Sequence, residues 1–343
     1  VDQSCIPVAG TTVTFTPLVG EGTVTGGSPL TDASGIATVG SWILGATSGT
    51  NTLTAQVGSL TPVVFTATVN PAAAALLDVV VQPSAGVASG SVLAQQPVVR
   101  ITDAFGNIIP AATNTVTVTL QGPSGTLGGT TSVAAVNGVA TFTNLSLTGT
   151  AGSYTLAFAA TGLTGDVSTA IALGAGPAAT IAANAGNGQG ATVNTAVTIP
   201  PSVLVTDPSG NPVAGVAVTF AVTGGGGAVT GPSQNTNAAG IATVGSWTLG
   251  TAAGSNTLSA TSGTLGGSPV SFTATGTAAA AAQLLITTQP SATTANGVAL
   301  AQQPVVQITD AFGNPVAQAG TVVTVTASSG GSIAAGATAT TNA

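Results

Sequence analysis

Val216-Ala-Val-Thr-Phe-Ala-Val-Thr223 puts apolar side chains at 216, 218, 220 and 222 and small or hydroxyl-bearing ones between them. A strict period of two predicts a strand with one face buried and the other in water. The alternation recurs at Val13 and Phe15, at Val116, Val118 and Leu120, and at Val323 and Val325. Turn residues separate these runs. The segments beginning at Asp103, Asp207 and Asp310 each read Asp-x-x-Gly-Asn. Their Asp can accept bonds from its own backbone, and their Gly-Asn pair tolerates positive φ.

Longer repeats surround these strands. Gly-Ile-Ala-Thr-Val-Gly-Ser-Trp-x-Leu-Gly spans 35 to 45 and again 240 to 250, an offset of 205. Leu-Ala-Gln-Gln-Pro-Val-Val-x-Ile-Thr-Asp-Ala-Phe-Gly-Asn spans 93 to 107 and 300 to 314, an offset of 207. Between them runs a weaker half-period: the Thr-Asp pairs at 102, 206 and 309 are 104 and 103 residues apart. A fixed period decides the architecture. Each half is read as one module of about 103 residues, and the modules alternate in type, because Trp42 and Trp247 stand where the intervening module has Leu145.

The expected division is 1-70, 71-174, 175-277 and 278-343, with the first module lacking its opening strands and the last its closing ones. Such a chain, which contains no Met, is expected to be part of a larger polypeptide. The 48 Gly and 19 Pro, with Thr- and Val-rich strands and frequent turn signals, predict an all-β sandwich of short antiparallel strands. Pro71 to Ala75 and Ala278 to Ala282 are Ala-rich but too short to hold a helix. As junctions of small apolar residues they predict abutting modules and a stiff rod.

Charged residues make up 3% of the chain, against roughly 25% in ordinary soluble domains, and the single cation is Arg100. One Arg supplies neither the basic footprint of a nucleic-acid binder nor a cluster for anionic lipid. Mean hydropathy is +0.57, yet Thr, Ser, Gly or Asn interrupts every apolar run, so no spanning helix and no membrane insertion is expected in this segment. Weak charge repulsion leaves lateral contact between chains unopposed.

Chemistry is scarce. There is no His and no Lys to serve as a base, so the chain is read as non-enzymatic with no catalytic residues. Without His and with Cys5 alone, no zinc or copper site is expected, and no cofactor. Each module has about two carboxylates, chiefly Asp2, Asp103, Asp207 and Asp310, where a calcium cage needs several, and these are read as Asx turns, as are Asp32 and its counterpart Asn237. Trp42 and Trp247 are read as core residues, with a sugar-stacking platform as the alternative. Cys5 occupies the turn position of Gly210 and is an incidental thiol or an intermolecular disulfide partner. Gly224 to Gly227 lacks the Lys and helix of a phosphate cradle and is read as a hairpin loop. Asn144-Leu-Ser146 fits an N-glycosylation pattern.

Asp207-Pro-Ser-Gly-Asn-Pro-Val-Ala-Gly-Val-Ala-Val-Thr-Phe220, Gly240-Ile-Ala-Thr-Val244, Asn256-Thr-Leu-Ser-Ala260 and Phe272-Thr-Ala-Thr-Gly276 together resemble the bacterial immunoglobulin-like repeats of the invasin and intimin type. The resemblance implies tandem immunoglobulin-like β-sandwich modules, extracellular or cell-surface display, and no catalytic residues. The expected function is a structural segment of an extracellular filament or surface fibre, with a spacer stalk of an adhesin as the alternative. Expected partners are copies of the same protein and a host or neighbouring-cell surface.

Overall fold

The computed structural model describes residues 1–328, 333 and 336–342. The remaining positions of the segment 278-343 lie outside the described residues. Every regular element described is a β-strand. Two compact units, Val1–Gly174 and Ala175–Ala343, divide the chain.

In the second unit, Thr180–Ala185, Ser202–Thr206 and Ile241–Thr243 form a three-stranded antiparallel sheet. A five-stranded sheet runs in the order Gln189–Thr192, Val270–Thr277, Gly254–Thr261, Ala217–Gly224, Ser233–Asn235, with only the first pair parallel. Ile181, Val203 and Val205 from one sheet meet Val218, Phe220, Leu258 and Phe272 from the other in a single core. The period-two expectation is met in Ala217–Gly224, where Val218 and Phe220 are buried and Thr219 and Ala221 exposed, and in Thr115–Gln121, where Val116 and Val118 are buried, but Val325 is exposed.

The Gly224 to Gly227 segment departs from the expected hairpin. Ala217–Gly224 pairs with Gly254–Thr261 and Ser233–Asn235, whereas Gly227–Thr230 pairs with Ser246–Leu249 in a separate two-stranded sheet. Three successive glycines at φ 80°, 79° and 88° turn the chain from one sheet into the other. Side chains would resist that conformation at each position. At Gly227 there is also no space, because a Cβ would lie 2.2 Å from the Thr248 carbonyl oxygen.

Within the first unit, residues 71–174 repeat the two-sheet plan. Ser132–Ala134, Thr115–Gln121, Gly152–Ala159, Ile171–Gly174 and Gly86–Ala88 lie side by side in one sheet. Val139–Thr141, Val98–Thr102 and Leu76–Val81 form another. Leu145, Tyr154, Leu156 and Phe158 fill the core between them, with the Phe142 and Phe158 rings 5.5 Å apart. The Tyr154 hydroxyl lies 2.8 Å from the Thr150 carbonyl and 2.9 Å from that of Ser124, so its polar end is satisfied.

Residues 1–70 form a three-stranded sheet of Thr14–Pro17, Gly49–Gln56 and Val63–Val69 beside the pair Gly22–Thr25 and Ser41–Leu44. Leu53 is buried there, but Val63, Val64 and Phe65 are exposed. At the far end, Gln283–Thr288 pairs with Val305–Thr309, and Val322–Thr324 with Thr338–Thr340.

Candidate functional site

No catalytic constellation was expected, and the residues that concentrate polar chemistry are the Asp-x-x-Gly-Asn loops. In Asp103-Ala-Phe-Gly-Asn107 the chain doubles back so that Oδ1 of Asp103 accepts from the N–H groups of Phe105 and Asn107, both at 2.9 Å. Gly106, at φ 85°, supplies the left-handed residue this reversal needs. Oδ2 accepts from Asn107 Nδ2 at 2.8 Å and from the N–H of Ala72, in the Ala-rich junction, at 3.0 Å. The carboxylate is shielded from solvent and carries four donors.

Asn107 extends the network backward along the chain. Its Nδ2 also donates to the Ala46 carbonyl at 2.7 Å, while its Oδ1 accepts from the Ser48 N–H at 2.8 Å. The receiving loop is itself pinned, because Asn51 Oδ1 accepts from Gly45 N–H at 2.8 Å. One Asp-Asn pair therefore brackets three pieces of backbone: its own turn, the junction and the 46–48 loop.

The second unit repeats this bond for bond. Asp310 accepts from Phe312, Asn314 and Ala279 N–H and from Asn314 Nδ2 at 2.8 to 2.9 Å. Asn314 Nδ2 donates to the Thr251 carbonyl and its Oδ1 accepts from Ala253 N–H, both at 2.7 Å. Asn256 pins Gly250 at 3.0 Å. Asp207 accepts from Ser209, Asn211 and Gly176 N–H and from Asn211 Nδ2 at 2.7 to 2.9 Å.

The Asx-turn reading is therefore correct, and Asp2, Asp32 and Asn237 make the same two-bond turn. The role given to Asn is corrected. Asn107, Asn211 and Asn314 are not among the positive-φ residues, since the preceding Gly takes that conformation in each loop. The Asn contributes its amide instead, which offers donors and an acceptor at once. The signal available in sequence was Ile6, which stands where the other three loops have Asn.

Four N–H donors on each of Asp103, Asp207 and Asp310 occupy the lone pairs a cation would need. Among the described residues, no group of three or more His, Cys, Asp or Glu side chains is placed to hold a metal. No described helix is long and apolar enough to cross a membrane. Burial alone would raise the Asp103 and Asp310 pKa values. The side-chain bond from Asn107 or Asn314 and three backbone N–H groups outweigh it, lowering each from 3.8 to about 2. Asp207 is lowered against the same burial penalty by Gly176 and Asn211. A folded value below the unfolded one stabilises above 3.8 and is lost as pH falls toward 2. Thermal melting should thus be flat from pH 7 to about 5 and fall only below about 4. A melting temperature that drops between pH 7 and 5 would contradict the assignment.

Trp247 is fully buried in the core, where it has no face open for a sugar, and Trp42 is half-buried. Cys5 is exposed at φ 62°, the conformation Gly210 holds at φ 81°. A left-handed residue with a Cβ is strained by about 1–2 kcal/mol. After the extra chain entropy of Gly, Cys5→Gly should stabilise this loop by about 0.5–1 kcal/mol. Slower amide exchange at Ile6 is the readout, and faster exchange would refute the strain. The Asn144 amide is engaged with the backbone and hydroxyl of Thr130.

No family model matches the chain, and no curated protein matches it. Solved structures similar to it include the FdeC adhesin of Escherichia coli, at 17% identity and TM-score 0.38 over 78% of this chain and 100% of that one. Invasin, described as a bacterial integrin-binding protein, is similar at 18% identity and TM-score 0.37 over 84% of this chain and 57% of that one. A β-glycosidase from Bacteroides vulgatus is similar at 16% and 0.27, over 47% of this chain and 21% of that one. The chain thus spans little more than half of invasin and about a fifth of the glycosidase.

Proposed function

We propose that this chain is a structural segment of an extracellular filament or surface fibre, built of tandem immunoglobulin-like modules divided at 1-70, 71-174, 175-277 and 278-343. It does no catalysis and holds no cofactor or metal. The observation that carries this reading is the Asp-Asn bracket, repeated 205 to 207 residues on with partners at the corresponding positions. Each bracket ties a junction and an earlier loop to the next sandwich, which is what a chain bearing or transmitting tension needs.

Electron cryo-microscopy of native material tests the proposal. Ordered fibres are the expected result, and isolated flexible single chains would end the filament reading. A second reading, the spacer stalk of a surface adhesin, is favoured by the bracket lying wholly within one chain, since it orders a single copy without a neighbour. Sedimentation of the chain as a strict monomer, combined with single rods in native material, would select it.

A further inference from the structure

The bracket orders the chain along its length and leaves open what meets its flanks. In residues 175–277 the five-stranded sheet turns one face outward, and the paired residues across its middle strands are hydroxyls: Ser255 with Thr275, Thr257 with Thr273, Ser259 with Ser271. Their neighbours in sequence, Leu258, Ala260, Phe272 and Ala274, point into the core. Residues 208 to 309 contain no Asp, Glu, Lys, Arg or His at all. Residues 1–70 present a related arrangement, with Thr50 opposite Thr68 and Thr52 opposite Thr66, but the third pair is Thr54 with the exposed Val64, while Thr16 lies opposite Thr54 on the adjoining strand. There Glu21 reaches in to accept from the Thr52 hydroxyl at 2.6 Å. The module between differs: its matching face places Ala157 and Ala159 opposite Thr119 and Thr117, with Asp166 on the neighbouring strand.

We propose that the hydroxyl faces of the two Trp-bearing repeats are a lateral interface between copies of this chain. A hydroxyl both donates and accepts, and although Thr52, Ser259 and Thr273 spend their proton on Glu21, Ala221 and Asn187, their oxygens still accept, so such a face is its own complement about a two-fold axis. The Thr methyl groups add apolar contact, and two twisted sheets pack at about 30°. On the face of residues 175–277 a charged partner finds no counter-charge and a second copy no repulsion, whereas the face of residues 1–70 carries the Glu21 carboxylate. Three strands about 4.8 Å apart and about seven residues long give a face of roughly 350 Å². One pair of faces buries about 700 Å² in total, below the roughly 1,200 Å² of a stable complex, so association requires several faces engaged together.

The inference rests on the fibre reading but is tested apart from it, by sedimentation equilibrium of the 343-residue chain. Thr66→Lys with Thr273→Lys puts like charges together at each two-fold contact and should weaken self-association about tenfold or more. Thr117→Lys with Thr119→Lys, on the intervening module, should leave it unchanged. Mixing the Lys pair with Thr66→Asp and Thr273→Asp at low salt should restore association, which a misfolded variant could not do. A wild-type chain that stays monomeric to about 1 mM, a Lys pair that associates like wild type, or failed restoration by the Asp pair would overturn the interface. Loss of the interface with native fibres intact would leave the fibre reading standing, and absence of native fibres would remove that reading instead.

Discussion

Phe272→Ala should destabilise its sandwich by about 3–5 kcal/mol, while Phe65→Ala, the same residue one repeat earlier, should cost at most about 2 kcal/mol. Phe272 is fully buried beneath the sheet of Thr180–Ala185, Ser202–Thr206 and Ile241–Thr243. Truncation there leaves a cavity that a close-packed core cannot fill. Phe65 is 46% exposed and keeps one ring contact, with Phe15 at 6.3 Å. Among the described residues of 1–70 there is no counterpart of the covering sheet. Because several modules unfold in one chain, a global melting curve mixes them. Amide exchange in Gly254–Thr261 and Gly49–Gln56 reads each local opening free energy separately. Equal losses at the two positions would show that burial is not what distinguishes the repeats.

Asn314→Ala should be nearly as damaging, at about 2–4 kcal/mol. The variant removes one donor to Asp310, one to the Thr251 carbonyl, and the acceptor of Ala253 N–H. Each bond contributes about 1 kcal/mol net, and each buried partner left unsatisfied costs about 1–3 kcal/mol. The effect should be local to the bracket: exchange at Ala253 and Ala279 accelerates while strands of the neighbouring core keep their protection. Asn107→Ala should do the same at Ser48 and Ala72, whose N–H groups occupy the matching places. Retained protection at these amides would mean the bracket does not tie the junction. Uniform loss across the whole unit would mean that Asn acts as a core residue instead.

The comparison of the two Phe residues also shows how much could be read beforehand. Alternation in Val216 to Thr223 was enough to place Val218 and Phe220 inside and Thr219 and Ala221 outside, because side-chain direction in a strand is a local property of the backbone. The Asp turns were equally legible, since Asp-x-x-Gly closes on itself within five residues. The Asn bracket was not. Its partners lie 59 to 63 residues earlier, and no local rule relates Asn107 to Ser48 or Asn314 to Thr251. Gly224 to Gly227 misled for a related reason: glycine permits a reversal but does not say which sheet receives the next strand.

The sequence by itself determined the strand class, the inward and outward faces, the repeat and the poverty of charge, because periodicity and composition act at every position independently. Tertiary structure alone decided whether identical residues were covered, as with Phe65 and Phe272, and which distant backbone groups the Asn amides would satisfy. Burial and hydrogen-bond closure depend on what other segments bring to the same place, and the residue that is buried or bonded carries no record of them.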